Sequence, residues 1–279
     1  MIIGVNGKIG SGKDTVGRII QVLTSKYGHG EVVYGFEEWQ NIKTYTHSDI
    51  IFEEGEIGGT ASVPSNFKIK KFADKLKDIV CLLLGCTREQ LEDREFKEKE
   101  LGEEWWYYKG RNGSLIPFND DSKRSSEDLI KLTPRLLLQL LGTEVGRDII
   151  HPNIWVNALM SEYNCVHCRQ NPCSVRHKNL IGMKPNYPNW VITDLRFKNE
   201  LEAIKDRGGI TIRVNRLFVT EMIGENKVSW IPIPTVDYIP HPSETALDDA
   251  EFDYIIDNNG AIEELIEKVR EILIKEGII

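Results

Sequence analysis

Residues 7–15 read Gly-Lys-Ile-Gly-Ser-Gly-Lys-Asp-Thr, "GKIGSGKDT", and directly follow the apolar run "MIIGVN" at 1–6. The run predicts a short buried strand. Behind the glycines, Val16, Ile19, Ile20 and Leu23 recur at helical spacing, which predicts a helix over 13–26 with Gly28 as its stop. Strand, glycine loop and helix together are the setting of a phosphate-binding loop. Successive backbone N–H groups of such a turn converge on an anion, and the helix adds its positive N-terminal end. Gly7, Gly12 and Lys13 stand where that pattern wants them, with Ile9, Gly10 and Ser11 between. The hydroxyl expected after the lysine, a magnesium ligand, is replaced by Asp14 and arrives one place later as Thr15. A carboxylate there can hold magnesium directly or through water, or simply complement the helix dipole.

Further along, apolar strands alternate with helices. "NWVITD" at 189–194 reads as a buried strand ending in a carboxylate, and "ITIRV" at 210–214 and "FDYIID" at 252–257 as later strands. Helices are expected at 73–84 with a stop at Gly85, after a Thr87–Gln90 capping box, from Thr133-Pro134 onward, and over the last stretch from Ile262. This alternation predicts an α/β fold: a P-loop NTPase-type parallel sheet with helices on both faces, in one domain spanning 1–279. Insertions are expected at 35–66, 103–130 and 163–187, the second as a hairpin or flap, with a proline-rich lid loop at 215–251.

Bulk properties narrow the field. The 279 residues are 41% hydrophobic and 28% charged, enough for a packed core. A net charge of -8 speaks against sequence-independent nucleic-acid binding, which needs a broad basic face. No stretch is long and apolar enough to span a bilayer, so no membrane partner is expected. Five cysteines, an odd number, suggest a reducing, cytoplasmic setting with thiols free or metal-bound. Cys165, Cys168, Cys173 and His177 have the spacing Cys-x2-Cys-x4-Cys-x3-His, which suits a structural zinc knuckle and equally three free loop thiols. Cys81 and Cys86 flank a leucine run and read as core or helix-end residues.

Asp194 at a strand end and Arg196 two residues on suit the second carboxylate and a cation at the ligand edge of such a sheet. With these in place, five ordered segments resemble one family: "SGKDT" (11–15), "FADKLKDIV" with "TREQLEDRE" (72–95), "TPRLLLQLLGTEVGRDIIHPNIWVNAL" (133–159), "WVITDLRFKNELEAIKDRGGITIRV" (190–214), and "HPSETALDD" with "FDYIIDNNG" (241–260). The set resembles the bacteriophage-type deoxynucleoside monophosphate kinases. The "SGKD" start, a "SE…LD" segment and the closing "FDYIIDNNG" also resemble animal-type phosphomevalonate kinases, which leaves a different small phosphate as rival acceptor.

The resemblance implies transfer of the ATP γ-phosphate to a deoxynucleoside monophosphate. ATP and Mg²⁺ would be the cofactors, small nucleotides the partners, and the host cytoplasm the setting if the source is viral. An anionic acceptor needs no strong base; it needs neutralisation, alignment and exclusion of water. Lys13 would serve the donor phosphates, with Asp14 and Asp194 for magnesium. Arg135, Arg147 and Arg196 are the expected acceptor cations, with Lys77 and Arg94 behind them. Each arginine taken alone reads as readily as a surface ion-pair partner. Gln139 and Trp155 are candidates for the base, Trp155 equally for core. Thr143 lies with Gln139 and Arg147 on one stripe, while Glu144 and Asp148 could orient arginines or hold the sugar. Asn259 is placed near an adenine; His241, Glu244 and Asp248 fall in the lid. A non-catalytic nucleotide-binding switch is the alternative of a different class. The assembly state is open, with a homodimer as one candidate.

Overall fold

The computed structural model describes residues 1–25, 66–110, 114–118, 129–166, 186–216 and 242–279. By their contacts the described residues group into two compact units, one within 1–71 and 161–279 and the other within 72–160.

The first unit is built on β1 (Ile2–Asn6), α1 (Lys13–Leu23), β2 (Phe67–Lys70), β3 (Asn189–Leu195), α2 (Lys198–Lys205), β4 (Ile210–Asn215), β5 (Tyr254–Asp257) and α3 (Ile262–Lys275). Its five strands form a sheet in the order β2-β3-β1-β4-β5, and all four pairings are parallel. A parallel sheet needs both faces covered, and the strand pattern supplies this. Ile3 and Val5 of β1 point into one cluster with Val16, Ile19 and Ile20 of α1 and Leu265, Val269 and Leu273 of α3. Gly4 points the other way, where an added Cβ would stand 2.6 Å from the Ile204 side chain of α2. The expected arrangement, a parallel sheet with helices on both faces, is the one observed. Residues 35–65 of the first expected insertion and 217–241 of the lid, His241 included, fall outside the described residues, as does Gly28.

In this order β1 is central. The chain first goes to β2 and β3 on one side and then to β4 and β5 on the other, so connections diverge at the carboxyl end of β1. That divergence opens a crevice above the sheet, the usual ligand position in open α/β folds. The pairing of β1 with β3 shifts register between Gly4 and Asn6, so that Asn6 pairs with Leu195, and the Asn6 amide donates to the Leu195 carbonyl at 2.8 Å. The irregularity lies beside Asp194, where a bulge redirects side chains. The strand runs one residue past Asp194, to Leu195.

The second unit is mainly helical. The helix Asp74–Leu84 stops at Gly85 (φ 63°), as the glycine predicts. Thr87 and Gln90 form the expected reciprocal cap: the Gln90 N–H donates to Thr87 Oγ1, and the Thr87 N–H to Gln90 Oε1 at 2.9 Å. Asp93 caps a further helix, Arg94–Glu98, by accepting from the Phe96 N–H at 2.7 Å. Strands Tyr107–Lys109 and Leu115–Pro117 pair antiparallel, the hairpin half of the reading for this insertion, and Leu129–Ile130 adds a third strand. Thr133 caps Pro134–Gln139 by accepting from the Leu136 N–H. The helix then continues as a π-helix over Leu140–Ile150, where a uniform helix was expected. Gly142 and Gly146 explain the change. An added Cβ on Gly146 would stand 2.9 Å from the Trp155 ring, and the Trp155 Nε1–H donates to the Gly142 carbonyl at 2.8 Å.

Candidate functional site

The loop between β1 and α1 is held open from within. Gly10 and Gly12 have φ of 79° and 94°, left-handed values that favour glycine. Gly7 lies so close to Ser11 that an added Cβ would fall 2.2 Å from the serine Oγ. Ser11 is 1% exposed, and its Oγ is the buried side-chain polar atom without a hydrogen-bond partner among the described residues. A buried hydroxyl left unpaired costs stability unless a ligand satisfies it. Gly12 caps α1 and, having no side chain, offers the first-turn N–H groups no acceptor of its own. The Asn258 amide clamps the loop from outside, donating to the Ser11 carbonyl at 2.8 Å. Asn259, expected near an adenine, follows Asn258 and is exposed.

Charge is concentrated around this loop. Burial lowers the pKa of Lys13 below the usual lysine range; Arg196 and Lys71 add to this, while Asp14 and Asp194 oppose it. A desolvated ammonium among other cations is stabilised by an arriving anion. Asp14 accepts from Thr193 Oγ1 at 3.0 Å and pairs with Lys71 at 3.1 Å and Lys13 at 3.8 Å. Burial pushes its pKa up, but Lys71 and Lys13, with the hydrogen bonds from Lys71 and Thr193, outweigh this and hold it below the carboxylate range. Thr15 is half-buried in the first turn of α1, and Ile9 is 66% exposed. Arg196 is placed by the start of α2, where buried Glu200 accepts from the N–H groups of Arg196 (2.8 Å) and Phe197 (3.1 Å).

A pocket borders the loop, lined in part by Asn6, Gly7, Arg196, Arg213 and Leu247. Lys8 and Arg213 both hold Asp248, at 2.7 and 3.2 Å, and Arg213 also donates to the Leu247 carbonyl. Of the lid residues, Asp248 and Glu244 are thereby placed beside the loop, the latter through its carbonyl, which accepts from Lys8 at 2.6 Å. Lys71, Lys8 and Arg213 were missed in the sequence. Only the positive charges were visible there, and nothing local distinguishes them from surface charges.

Residues of the second unit form a separate charged group. Arg135 pairs with Glu98 and Lys77 with Glu92. Lys97, also missed, has its pKa lowered by burial, with Glu92 opposing and Lys77 and Arg135 contributing. Arg94 is exposed and makes no ion pair among the described residues. Gln139, Thr143 and Arg147 are half-buried along the α-to-π helix, and Glu144 and Asp148 are exposed. Residues four apart overshoot a full turn in an α-helix and fall short of one in a π-helix. The two drifts offset each other, which keeps Arg135, Gln139, Thr143 and Arg147 on one stripe. Trp155 is 6% exposed and hydrogen-bonded inside its unit, so it takes the core role and its ring offers no free face for a base.

For a divalent cation the donor set is small. No group of three or more His, Cys, Asp and Glu residues suited to a metal occurs among the described residues. Asp14, Asp194 and nearby hydroxyls still fit magnesium, which is usually held by one or two carboxylates together with substrate phosphates. Of the proposed zinc ligands, Cys168, Cys173 and His177 lie outside the described residues; Cys165 is buried and not in a disulfide. Among the described residues, no helix is long and apolar enough to cross a membrane.

The sheet, its diverging centre and the glycine loop at β1 define an α/β fold of the P-loop NTPase type. No family model matches the chain. It is similar to the deoxynucleoside-5'-monophosphate kinase of Escherichia phage T5, 24% identical over 275 residues that cover 88% of this chain and 85% of that protein. It is also similar to a protein of Acanthamoeba polyphaga mimivirus, provisionally named a deoxynucleotide monophosphate kinase, 26% identical over 208 residues covering 72% of this chain and 79% of that one. The names of the two proteins state the same activity, and the similarity runs over most of this chain.

Proposed function

We propose that this chain is a kinase that transfers the γ-phosphate of ATP to a deoxynucleoside monophosphate, giving the diphosphate. One observation carries the acceptor class: similarity over most of the chain to two viral proteins whose names state that substrate. The donor side is supported by geometry. The orphaned Ser11 hydroxyl, the glycine-capped start of α1 and half-buried Lys13 together support a cradle for phosphate oxygens.

In this reading Gly7, Ile9, Gly10, Gly12 and Thr15 contribute backbone or hydroxyl contacts to the donor, and Lys13 neutralises its outer phosphates. Asp14 and Asp194 would hold magnesium, which supplies charge neutralisation on the transferring group when bound with the nucleotide. Arg196, leaving β3 at the ligand edge, carries a cation to the reacting phosphates. Arg135 and Arg147, with Lys77 and Arg94, bind the acceptor phosphate, while Gln139, Thr143 and Asp148 read the base and sugar. An oxygen of the acceptor phosphate attacks the γ-phosphorus, the bond to the β-phosphate oxygen breaks, and ADP leaves. Asn258 braces the loop, and Asn259 neighbours the adenine. The viral source of both relatives supports action in a host cytoplasm.

Zinc at Cys165, Cys168, Cys173 and His177 rests on their spacing alone. About one zinc per chain after purification without chelator is the expected content; under half would remove the knuckle. The kinase reading is tested by incubating the protein with ATP and each monophosphate and reading products by mass.

A further inference from the structure

Lys71 follows β2 directly and has a side chain 25% exposed. Its ammonium lies 3.1 Å from Asp14 Oδ1, the oxygen that also accepts from Thr193. Lys13 stands nearer the other oxygen, Oδ2, at 3.8 Å. Asp14 is therefore flanked by two ammonium groups at the entrance to the cradle, although the loop pattern calls for only one. Lys71 also lies close enough to Lys13 to lower its pKa. Around Lys13, the cations Lys13, Lys71 and Arg196 face the two carboxylates Asp14 and Asp194, so positive charge is in excess. A lysine head on a flexible stem, with three donors, can turn to a stronger anion within reach.

We propose that Lys71 is a second phosphate-binding lysine of the donor site, parked on Asp14 while no nucleotide is bound. When a triphosphate enters the cradle, the Lys71 ammonium exchanges the Asp14 carboxylate for oxygens of the terminal phosphate. That exchange leaves Asp14 free for its proposed metal role. The inference rests on the donor half of the kinase reading and is independent of which acceptor is used.

The test separates phosphate binding from simple neutralisation of Asp14. Binding of ATP and of ADP is measured by calorimetry in the presence of EDTA, for wild type, Asp14→Asn, and Asp14→Asn combined with Lys71→Met or Lys71→Arg. With Asp14 already neutral, a lysine that only serves that carboxylate has nothing left to do. The proposal expects Lys71→Met in the Asp14→Asn background to weaken ATP binding on the order of tenfold and ADP binding less, with Lys71→Arg retaining most of the affinity. Equal ATP affinities of Asp14→Asn with and without Lys71→Met overturn it, as does an equal loss for ATP and ADP. A wild-type protein that binds no ATP instead refutes the donor-site reading, and Lys71 with it. Active donor binding without any conversion of deoxynucleoside monophosphates would refute the acceptor alone.

Discussion

Gly12→Ala should damage the loop by an amount that can be worked out from its surroundings. Gly12 has φ 94°, and forcing an alanine into the left-handed region costs about 1–2 kcal/mol. Its new Cβ would fall 2.5 Å from Asn258 Nδ2, so the Asn258 side chain must swing away and lose its 2.8 Å bond to the Ser11 carbonyl. That hydrogen bond contributes about 1 kcal/mol. Gly12→Ala should therefore cost about 2–3 kcal/mol and Asn258→Ala about 1 kcal/mol. The bond can be lost only once, so the double variant should fall about 1 kcal/mol short of the sum. Urea denaturation of the four proteins measures this directly. A Gly12→Ala protein as stable as wild type, or strict additivity in the double variant, would refute the reasoning.

Tyr163 is 4% exposed, stacks on Tyr187 at 5.2 Å and meets Trp190 edge-on. Burial, with Tyr187 nearby, raises its pKa to about 12 against Arg207. Because the folded value is raised, the neutral phenol contributes stability that is complete below pH ~10 and is lost as pH rises toward ~12. Tyr163→Phe should remove about 2 kcal/mol of the stability lost over that window; identical pH dependence of melting in the two proteins would contradict it. Trp155→Phe deletes the donor to the Gly142 carbonyl and part of a buried ring, and should cost about 2–3 kcal/mol. If denaturation shows little change while nucleotide affinity falls, Trp155 is a binding residue and its core role is wrong.

Local signals in the chain were readable because their causes are local. The Thr87–Gln90 box, the Gly85 stop and the glycine turn at 7–12 each depend on a few adjacent residues, and each forms as its residues suggest. Alternation of strands and helices was enough for a parallel sheet with both faces covered. What stayed hidden depends on partners far along the chain. Lys71 acquires its place through Asp14, Asn258 through Ser11, and Lys8 and Arg213 through Asp248. The π-helix is a similar case. Its register goes with Trp155, which packs on Gly146 and donates to the Gly142 carbonyl, while the spacing of Leu136, Leu137, Leu140 and Leu141 reads as an ordinary helix. The grouping of residues 72–160 into a unit of their own arises from contacts among helices, which no single stretch announces.

The central claim is tested most directly by a product assay. Purified protein is incubated with ATP, Mg²⁺ and, one at a time, each deoxynucleoside monophosphate, each ribonucleoside monophosphate and phosphomevalonate, and products are read by mass spectrometry. A Lys13→Ala variant run in parallel should be slower on the order of 10²-fold or more. The account predicts ADP together with at least one deoxynucleoside diphosphate; conversion of no monophosphate, or of phosphomevalonate alone, would contradict it.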